Sequence, residues 1–498
     1  MVAQVWRVNV GRVPLLLLDA DRPENDLTDR WITSRLYAGV GGVRALHALG
    51  IDPGVVHLNE GHAAMACLEL ARAERERTGV SVEDAFEAVR QRTVFTTHTP
   101  VPAGNDTYPA AQMAEALAGI ASEMGVEADS LVRRGRTHPA EGAEPFGVTQ
   151  FALRSSRFAN GVSARHGEVA REMWQELWPD RPVEDVPITH VTNGVHIPTW
   201  IGGSMRELLD RHLGEGWPER AVEPATWEPL HEIPSDELWA ARGAQRRELI
   251  DVVRERSVGD RLGRGDTAEY VRAAAEALDP DALTIGFARR VATYKRLDLL
   301  LRDVDRALAL LSDEERPVQL ILAGKAHPKD DPGKRLVQRL FEMKGHLNVG
   351  RRVVYLDDYD LALGAAMVRG CDVWVNVPRP PLEASGTSGI KSAMNGGLQL
   401  SVLDGWWPEA SDGSNGWAIS GEVDPDHGAQ DWRHAAELYR LLTDEVVPTY
   451  YSRDAGLPQG WLDMVRASLR TIGPRFGAGR MVRDYAERIY PAHVGARA

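Results

Sequence analysis

Val373-Trp374-Val375-Asn376-Val377 is followed by Glu383-Ala384-Ser385-Gly386-Thr387-Ser388-Gly389-Ile390-Lys391-Ser392-Ala393-Met394-Asn395-Gly396-Gly397 and then by Leu398-Gln399-Leu400-Ser401-Val402-Leu403. The first and last runs are short, apolar and bounded by turn residues, the pattern of strands buried on both faces. The glycine-punctuated segment between them opens a helix. Strand, helix and strand in that order imply a βαβ unit and a parallel sheet. Upstream, Leu283–Phe287, Val318–Ala323 and Val353–Leu356 have the same strand character, with helices predicted through Leu311, over 332–347 and over 360–370.

The N-terminal half repeats this grammar less completely. Val55–Leu58, Val94–Thr97 and Ile188–Val191 are strand-like, and Ala- and Leu-rich helical stretches separate them. Residues 205–260 and 429–495 are predicted helical. The apolar run Val13–Leu18 is cut short by Asp19 and Asp21 and reads as a buried strand. A chain of 498 residues is too long for one core. The expected organisation is therefore α/β, with two Rossmann-like doubly wound domains over 1–198 and 199–498, the last helix crossing back. Ligands are expected at the carboxyl ends of the strands.

Composition narrows the function classes. The formal charge of −14 argues against a nucleic-acid partner, which calls for a clustered basic surface. No apolar run reaches the length of a membrane span and no charged-then-apolar leader is recognised, so a cytoplasmic location away from membranes is expected. Cys67 and Cys371 make neither a disulfide framework nor a zinc site. Only six of the 58 basic residues are lysines, all between Lys295 and Lys391. An amine can lose its proton, form a Schiff base or act as a compact point charge, which a guanidinium cannot.

Three constellations carry chemistry. Around Gly386 and Gly389 backbone amides converge at a helix start that suits a phosphate, with Lys391 about one turn in. The spacing is not that of a P-loop, because Ile390 separates Gly389 from Lys391. Arg289, Arg290, Lys295 and Arg296 lie within eight positions after a strand. Such a cluster calls for an anion, with Arg290 and Lys295 as a phosphate clamp. Finally, His57-Leu58-Asn59-Glu60-Gly61-His62 and Thr97-His98-Thr99-Pro100 place polar groups just after strands. Their spacing matches neither HExxH nor HxxEH, so no metal is expected and hydrogen bonding to a polyol is the better reading. The 14 tryptophans could stack on sugars, but core packing accounts for most of them.

Taken together, Glu383–Trp407, Arg289–Arg296, Ala323-Gly324-Lys325-Ala326-His327-Pro328, His57–His62, Thr97–Gly104, Arg157–Ser163 and Thr192-Asn193-Gly194-Val195 resemble the bacterial α-glucan (glycogen/maltodextrin) phosphorylases, in the family's order. The resemblance implies a glycosyltransferase-B fold with an active site in the cleft. It also implies transfer of a terminal α-1,4-glucosyl unit of glycogen, starch or maltodextrin to orthophosphate, giving glucose 1-phosphate with retention. Lys391 matches the lysine that holds pyridoxal 5′-phosphate as a Schiff base. Thr387, Ser388 and Arg289 match the shell of the cofactor phosphate, with Tyr359 and Trp200 as cofactor neighbours. Arg290 and Lys295 match the binders of substrate phosphate, and His98, Asn193, Glu383, Ser385 and Gly386 those of the glucosyl unit.

Family members carry a substantial portion before the Gly11-Arg12-Val13-Pro14 stretch, so an N-terminally truncated member with an incomplete first domain is expected. A second gap is expected between Tyr37 and Gly39. The alternatives are a non-catalytic phosphorylase homologue and a nucleotide-sugar-dependent glucan synthase of the same fold.

Overall fold

The computed structural model describes residues 2–26, 35–101, 104–289, 293–325, 331, 333–335, 337–338 and 350–491. The chain divides into two units. One comprises residues 1–191 with 484–498, the other residues 192–483. The division thus falls after Val191 rather than after 198, and the final segment groups with the first unit.

The second unit is built on six parallel strands. Their spatial order is Val353–Leu356, Val318–Ala323, Leu283–Ala288, Val373–Asn376, Leu398–Val402 and Gly416–Ile419. In chain order this is 3-2-1-4-5-6, so the sheet reverses direction between Leu283–Ala288 and Val373–Asn376. A crevice opens outside the carboxyl ends of the two strands at such a reversal. The strands are continuously apolar because helices cover both faces; Leu283–Ala288 and Val318–Ala323 are buried along their whole length. Helix entries are set by side-chain caps. Asp360 accepts from the Leu363 amide at 2.7 Å to start Leu361–Gly370, and Asp426 from the Ala429 amide at 3.0 Å to start His427–Leu441. Trp217, Trp227, Trp406, Trp407 and Trp461 are core residues of this unit, so these indoles are unavailable for stacking on sugars. The helix expected over 332–347 falls largely outside the described residues.

In the first unit Val56–Asn59, Thr93–Thr96, Phe158–Gly161 and Ile188–His190 pair in parallel and in sequence order. Ala66–Thr78, Val82–Arg92, Ala110–Met124 and Ala164–Trp174 are the principal helices after the first strand. The Arg35–Ala48 helix spans the Tyr37–Gly39 join. The final segment is bound to the sheet through two phenols. Tyr485 Oη lies 3.1 Å from Thr96 Oγ1 and accepts from Asn160 Nδ2 at 3.0 Å. Tyr490 Oη lies 2.8 Å from His57 Nδ1.

Val13–Asp19 is a strand but not the buried one expected: among the described residues it pairs only with Gln4–Val10, in a two-stranded hairpin. The register sets Trp6 opposite Leu17, Val8 opposite Leu15 and Val10 opposite Val13, all six exposed. A run of leucines specifies a strand but not a cover, and among the described residues no third strand pairs with the hairpin and these six side chains stay in solvent. Among the described residues no helix is long and apolar enough to cross a membrane.

Candidate active site

The reversal point of the second sheet gathers most of the residues singled out from sequence. Arg289 directly follows Leu283–Ala288 and Asn376 ends Val373–Asn376, so both sit at the carboxyl ends of the two strands that flank the reversal. Glu383, on the loop after the second of these strands, is buried and paired with two cations. The Arg289 guanidinium Nη1 donates to its carboxylate, and Lys295 Nζ donates to the same oxygen at 2.6 Å. Burial by itself would raise the Glu383 carboxyl. The two adjacent positive charges and their hydrogen bonds more than offset that, holding it down at about 2. The cation cluster read from sequence therefore has a protein carboxylate as its counter-ion. Among the described residues, Arg289 and Lys295 share this one carboxylate. Arg296 points elsewhere: its guanidinium donates to the Val377 and Pro378 carbonyls and pairs with Asp431 at 3.1 Å. Arg290 lies outside the described residues, as do Pro102, Ala103 and Ala326–Pro328.

Several buried polar atoms at this end of the sheet have no hydrogen-bond partner among the described residues. They are Arg289 Nε and Nη2, both side-chain atoms of Asn376, and Ser385 Oγ. Such groups are costly to leave unpaired. Asn376 was read only as part of a strand; the signal available was an amide closing an otherwise apolar run. Gly386 has φ +89°, a left-handed conformation that favours glycine. A Cβ there would lie 3.5 Å from Asn376 Nδ2 and from Glu383 Cγ. The loop is tied down behind by Asp404, which accepts from the Glu383 and Gly405 amides at 2.9 Å each.

Gly386 is the N-cap of the short helix Thr387–Ala393, whose first amides lack a side-chain cap. Thr387 and Ser388 form its first turn, and Trp374 Nε1 donates to Ser388 Oγ at 3.2 Å. Lys391 lies one turn further on the same helix. Its Nζ sits 3.7 Å from the centre of the Trp200 indole. No carboxylate lies within salt-bridge distance of that amine among the described residues, and burial lowers its pKa from the ordinary lysine value. Tyr359 is half-buried near the Arg289 charge, with burial raising its phenol.

Asn193 is half-buried at the start of the second unit. Its turn is clamped where the Val195 amide donates to the Phe476 carbonyl and the Ala478 amide to the Val195 carbonyl, and a Cβ on Gly194 would come 2.3 Å from the Gly477 carbonyl. His98 belongs to the first unit. Its Nε2 is 2.8 Å from Asn59 Oδ1, its amide donates to Glu60 Oε2 at 2.8 Å, and burial lowers its imidazole. His57 is taken up by Tyr490 and Thr96, and Glu60 by backbone amides, so neither is arranged as a metal ligand. Among the described residues a three-ligand geometry occurs only at His138, Glu141 and Glu144. Two of these are exposed, and Glu144 accepts from the Thr137 and His138 amides.

Comparison with known proteins places this geometry in context. The carbohydrate phosphorylase family matches residues 46–412. Glycogen phosphorylase of Mycobacterium tuberculosis (strain CDC 1551 / Oshkosh) is 44% identical over 515 residues, covering 98% of this chain and 59% of the relative. Maltodextrin phosphorylase of Thermococcus litoralis is 41% identical over 98% of this chain and 58% of the relative. For glycogen phosphorylase of Aquifex aeolicus the identity is 40%, over 98% of this chain and 71% of the relative. The chain thus spans a little under three fifths of the first two relatives and more of the third. A two-sheet α/β chain matched by the family over most of its length, and by these relatives at 40–44% identity, belongs to the carbohydrate phosphorylase family.

Proposed function

We propose that this chain is an α-1,4-glucan phosphorylase that transfers a terminal glucosyl unit to orthophosphate, giving α-glucose 1-phosphate with retention, and that pyridoxal 5′-phosphate is its cofactor. The observation that carries the reading is Lys391, whose amine has no carboxylate partner among the described residues, is lowered by burial and lies against the Trp200 ring. The residues present fit that cofactor. They offer an amine whose charged form burial disfavours, an adjacent indole face, and buried donors on Arg289, Asn376 and Ser385 without partners among the described residues. When bound, the cofactor supplies a phosphate group that exchanges a proton with substrate phosphate.

The chain's own residues do the rest. Lys391 anchors the cofactor, with Trp200 and Tyr359 beside it. Thr387, Ser388 and Arg289 receive its phosphate, Arg289 Nε and Nη2 having no partner among the described residues. Lys295, with Arg290, binds orthophosphate, the guanidinium by its fork and the ammonium as a point charge. Glu383 restrains Lys295 and Arg289 before substrate arrives, then hydrogen-bonds the glucosyl unit together with Ser385, Gly386 and Asn193. His98 is assigned to sugar hydrogen bonding in the first unit. The polymer is glycogen, starch or maltodextrin.

The experiment measures glucose 1-phosphate released from maltodextrin plus phosphate, with covalent cofactor quantified on the same sample and on Lys391→Ala. Product formation, with cofactor lost in the variant, is expected. Borohydride-fixed cofactor persisting in Lys391→Ala would refute the anchor. Cofactor without product would refute turnover by this chain.

A further inference from the structure

We propose that Asn395 is a positioning residue that locks the Trp200 indole against the Lys391 amine. The proposal rests on Lys391 being the cofactor anchor, but its geometric part stands without that reading.

Asn395 lies one turn beyond Lys391 and is fully buried. Its side chain makes four hydrogen bonds, and their distribution is the argument. Nδ2 donates to the Lys391 carbonyl at 2.9 Å and to the Trp200 carbonyl at 3.0 Å. Oδ1 accepts from the Gly202 amide at 2.7 Å and from Gln245 Nε2 at 3.0 Å. One primary amide thereby ties the backbone of the lysine to the backbone of the aromatic residue that faces it, which lies 195 positions before Asn395. It also fixes the chain two residues past that aromatic.

The surroundings hold Asn395 in this orientation. Arg242 donates to its backbone carbonyl at 2.7 Å and to the Cys371 carbonyl at 2.7 Å, and Arg242 is itself buried beside Asp372. Gly202 must stay bare, because a Cβ there would lie 2.6 Å from Gln245 Nε2. Arg369 adds a second bond to the Trp200 carbonyl, at 3.3 Å, from the half-exposed side. Only a group that both donates twice and accepts twice satisfies this junction, and asparagine is the compact side chain with that inventory. The consequence lies at the far side of the loop. With the backbone of residues 200–202 fixed, the indole stays 3.7 Å from Nζ and keeps water off one side of the amine. If the loop relaxes, water enters and the amine returns toward an ordinary, charged lysine.

The test uses Asn395→Asp, which keeps the shape and the accepted bonds but removes both donors. The six lysines are reductively methylated with ¹³C-formaldehyde, and the Lys391 signal is assigned by its loss in Lys391→Arg. Methyl groups above an indole face resonate upfield whatever the local charge. The expected result is an upfield Lys391 signal in the unsubstituted protein that moves back among the other lysines in Asn395→Asp. In parallel, unmethylated protein is mixed with pyridoxal 5′-phosphate and reduced with borohydride, and labelling at Lys391 is followed over time. Labelling at neutral pH should slow several-fold in the variant, because a more hydrated amine is more often charged.

A merely structural Asn395 would lower the melting temperature and leave the methyl shift of the folded protein where it was. An unchanged methyl shift with an unchanged labelling rate overturns the proposal. Loss of the upfield shift without any labelling of the unsubstituted protein would sink the cofactor reading and uphold the positioning role. If Asn395→Asp does not fold, Asn395→Ser, uncharged and short of the same donors, is read by the same criteria.

Discussion

Glu383→Gln is the substitution that tests the site's electrostatics most directly. The Glu383 carboxyl is held at about 2 against an ordinary 4.5, by Arg289 and Lys295 acting against the cost of burial. A carboxyl depressed on folding contributes stability above its unfolded value, and that contribution drains away as pH falls from about 4.5 to about 2. At neutral pH the gap corresponds to about 3 kcal/mol. Removing one member of a buried ion pair leaves its partners uncompensated and costs about 3–5 kcal/mol, a consistent figure reached independently. Chemical denaturation of residues 192–483, read by the buried tryptophans Trp217, Trp227, Trp374, Trp406, Trp407 and Trp461, should therefore show a loss of roughly 3 kcal/mol at pH 7. The difference between the two proteins should shrink as pH falls below about 4.5. Inorganic phosphate should stabilise Glu383→Gln more than the unsubstituted chain, because an added anion replaces the missing one. A variant within about 1 kcal/mol of the parent, with the same acid profile and no extra response to phosphate, would show that the carboxylate does not neutralise this pair.

Lys295→Ala should raise the phosphate concentration needed for phosphorolysis while leaving covalent cofactor content intact; unchanged phosphate kinetics in Lys295→Ala and Arg290→Ala would refute the clamp. Tyr485→Phe deletes the hydroxyl shared by Thr96 and Asn160 and should destabilise the first unit by about 1–2 kcal/mol, with faster proteolysis of the segment after Asp484 as the measure. Gly194→Ala should lower the melting temperature of the second unit, since the added methyl meets the Gly477 carbonyl at 2.3 Å. A melt superimposable on the parent would show that the turn shifts freely.

What could be read without coordinates follows from how local each signal is. Five strands of the second sheet were legible because a strand covered on both faces needs an unbroken apolar run, as in Val318–Ala323. The sixth, Gly416–Ile419, was missed; four residues opened by a glycine at φ +151° carry too little pattern. The helix start at Gly386 was legible from its glycines, and Lys391 from the rarity of lysine in this chain. The burial of Val13–Asp19 was misjudged because cover is supplied by other segments, and hydrophobicity alone cannot report whether those segments are there.

The sequence by itself determined the α/β class, most strand positions, the family resemblance and the roster of chemically capable residues, since each depends on neighbours a few positions apart. The tertiary structure alone decided which of those residues meet. The 3-2-1-4-5-6 order is a set of non-local pairings, and it brings Arg289 to the same crevice as Glu383, 94 positions later. Folding also turned Arg289 and Lys295 onto an internal carboxylate, set Trp200 against Lys391, and left the Asn376 amide buried without a partner among the described residues. These outcomes depend on distance and desolvation, which only packing creates.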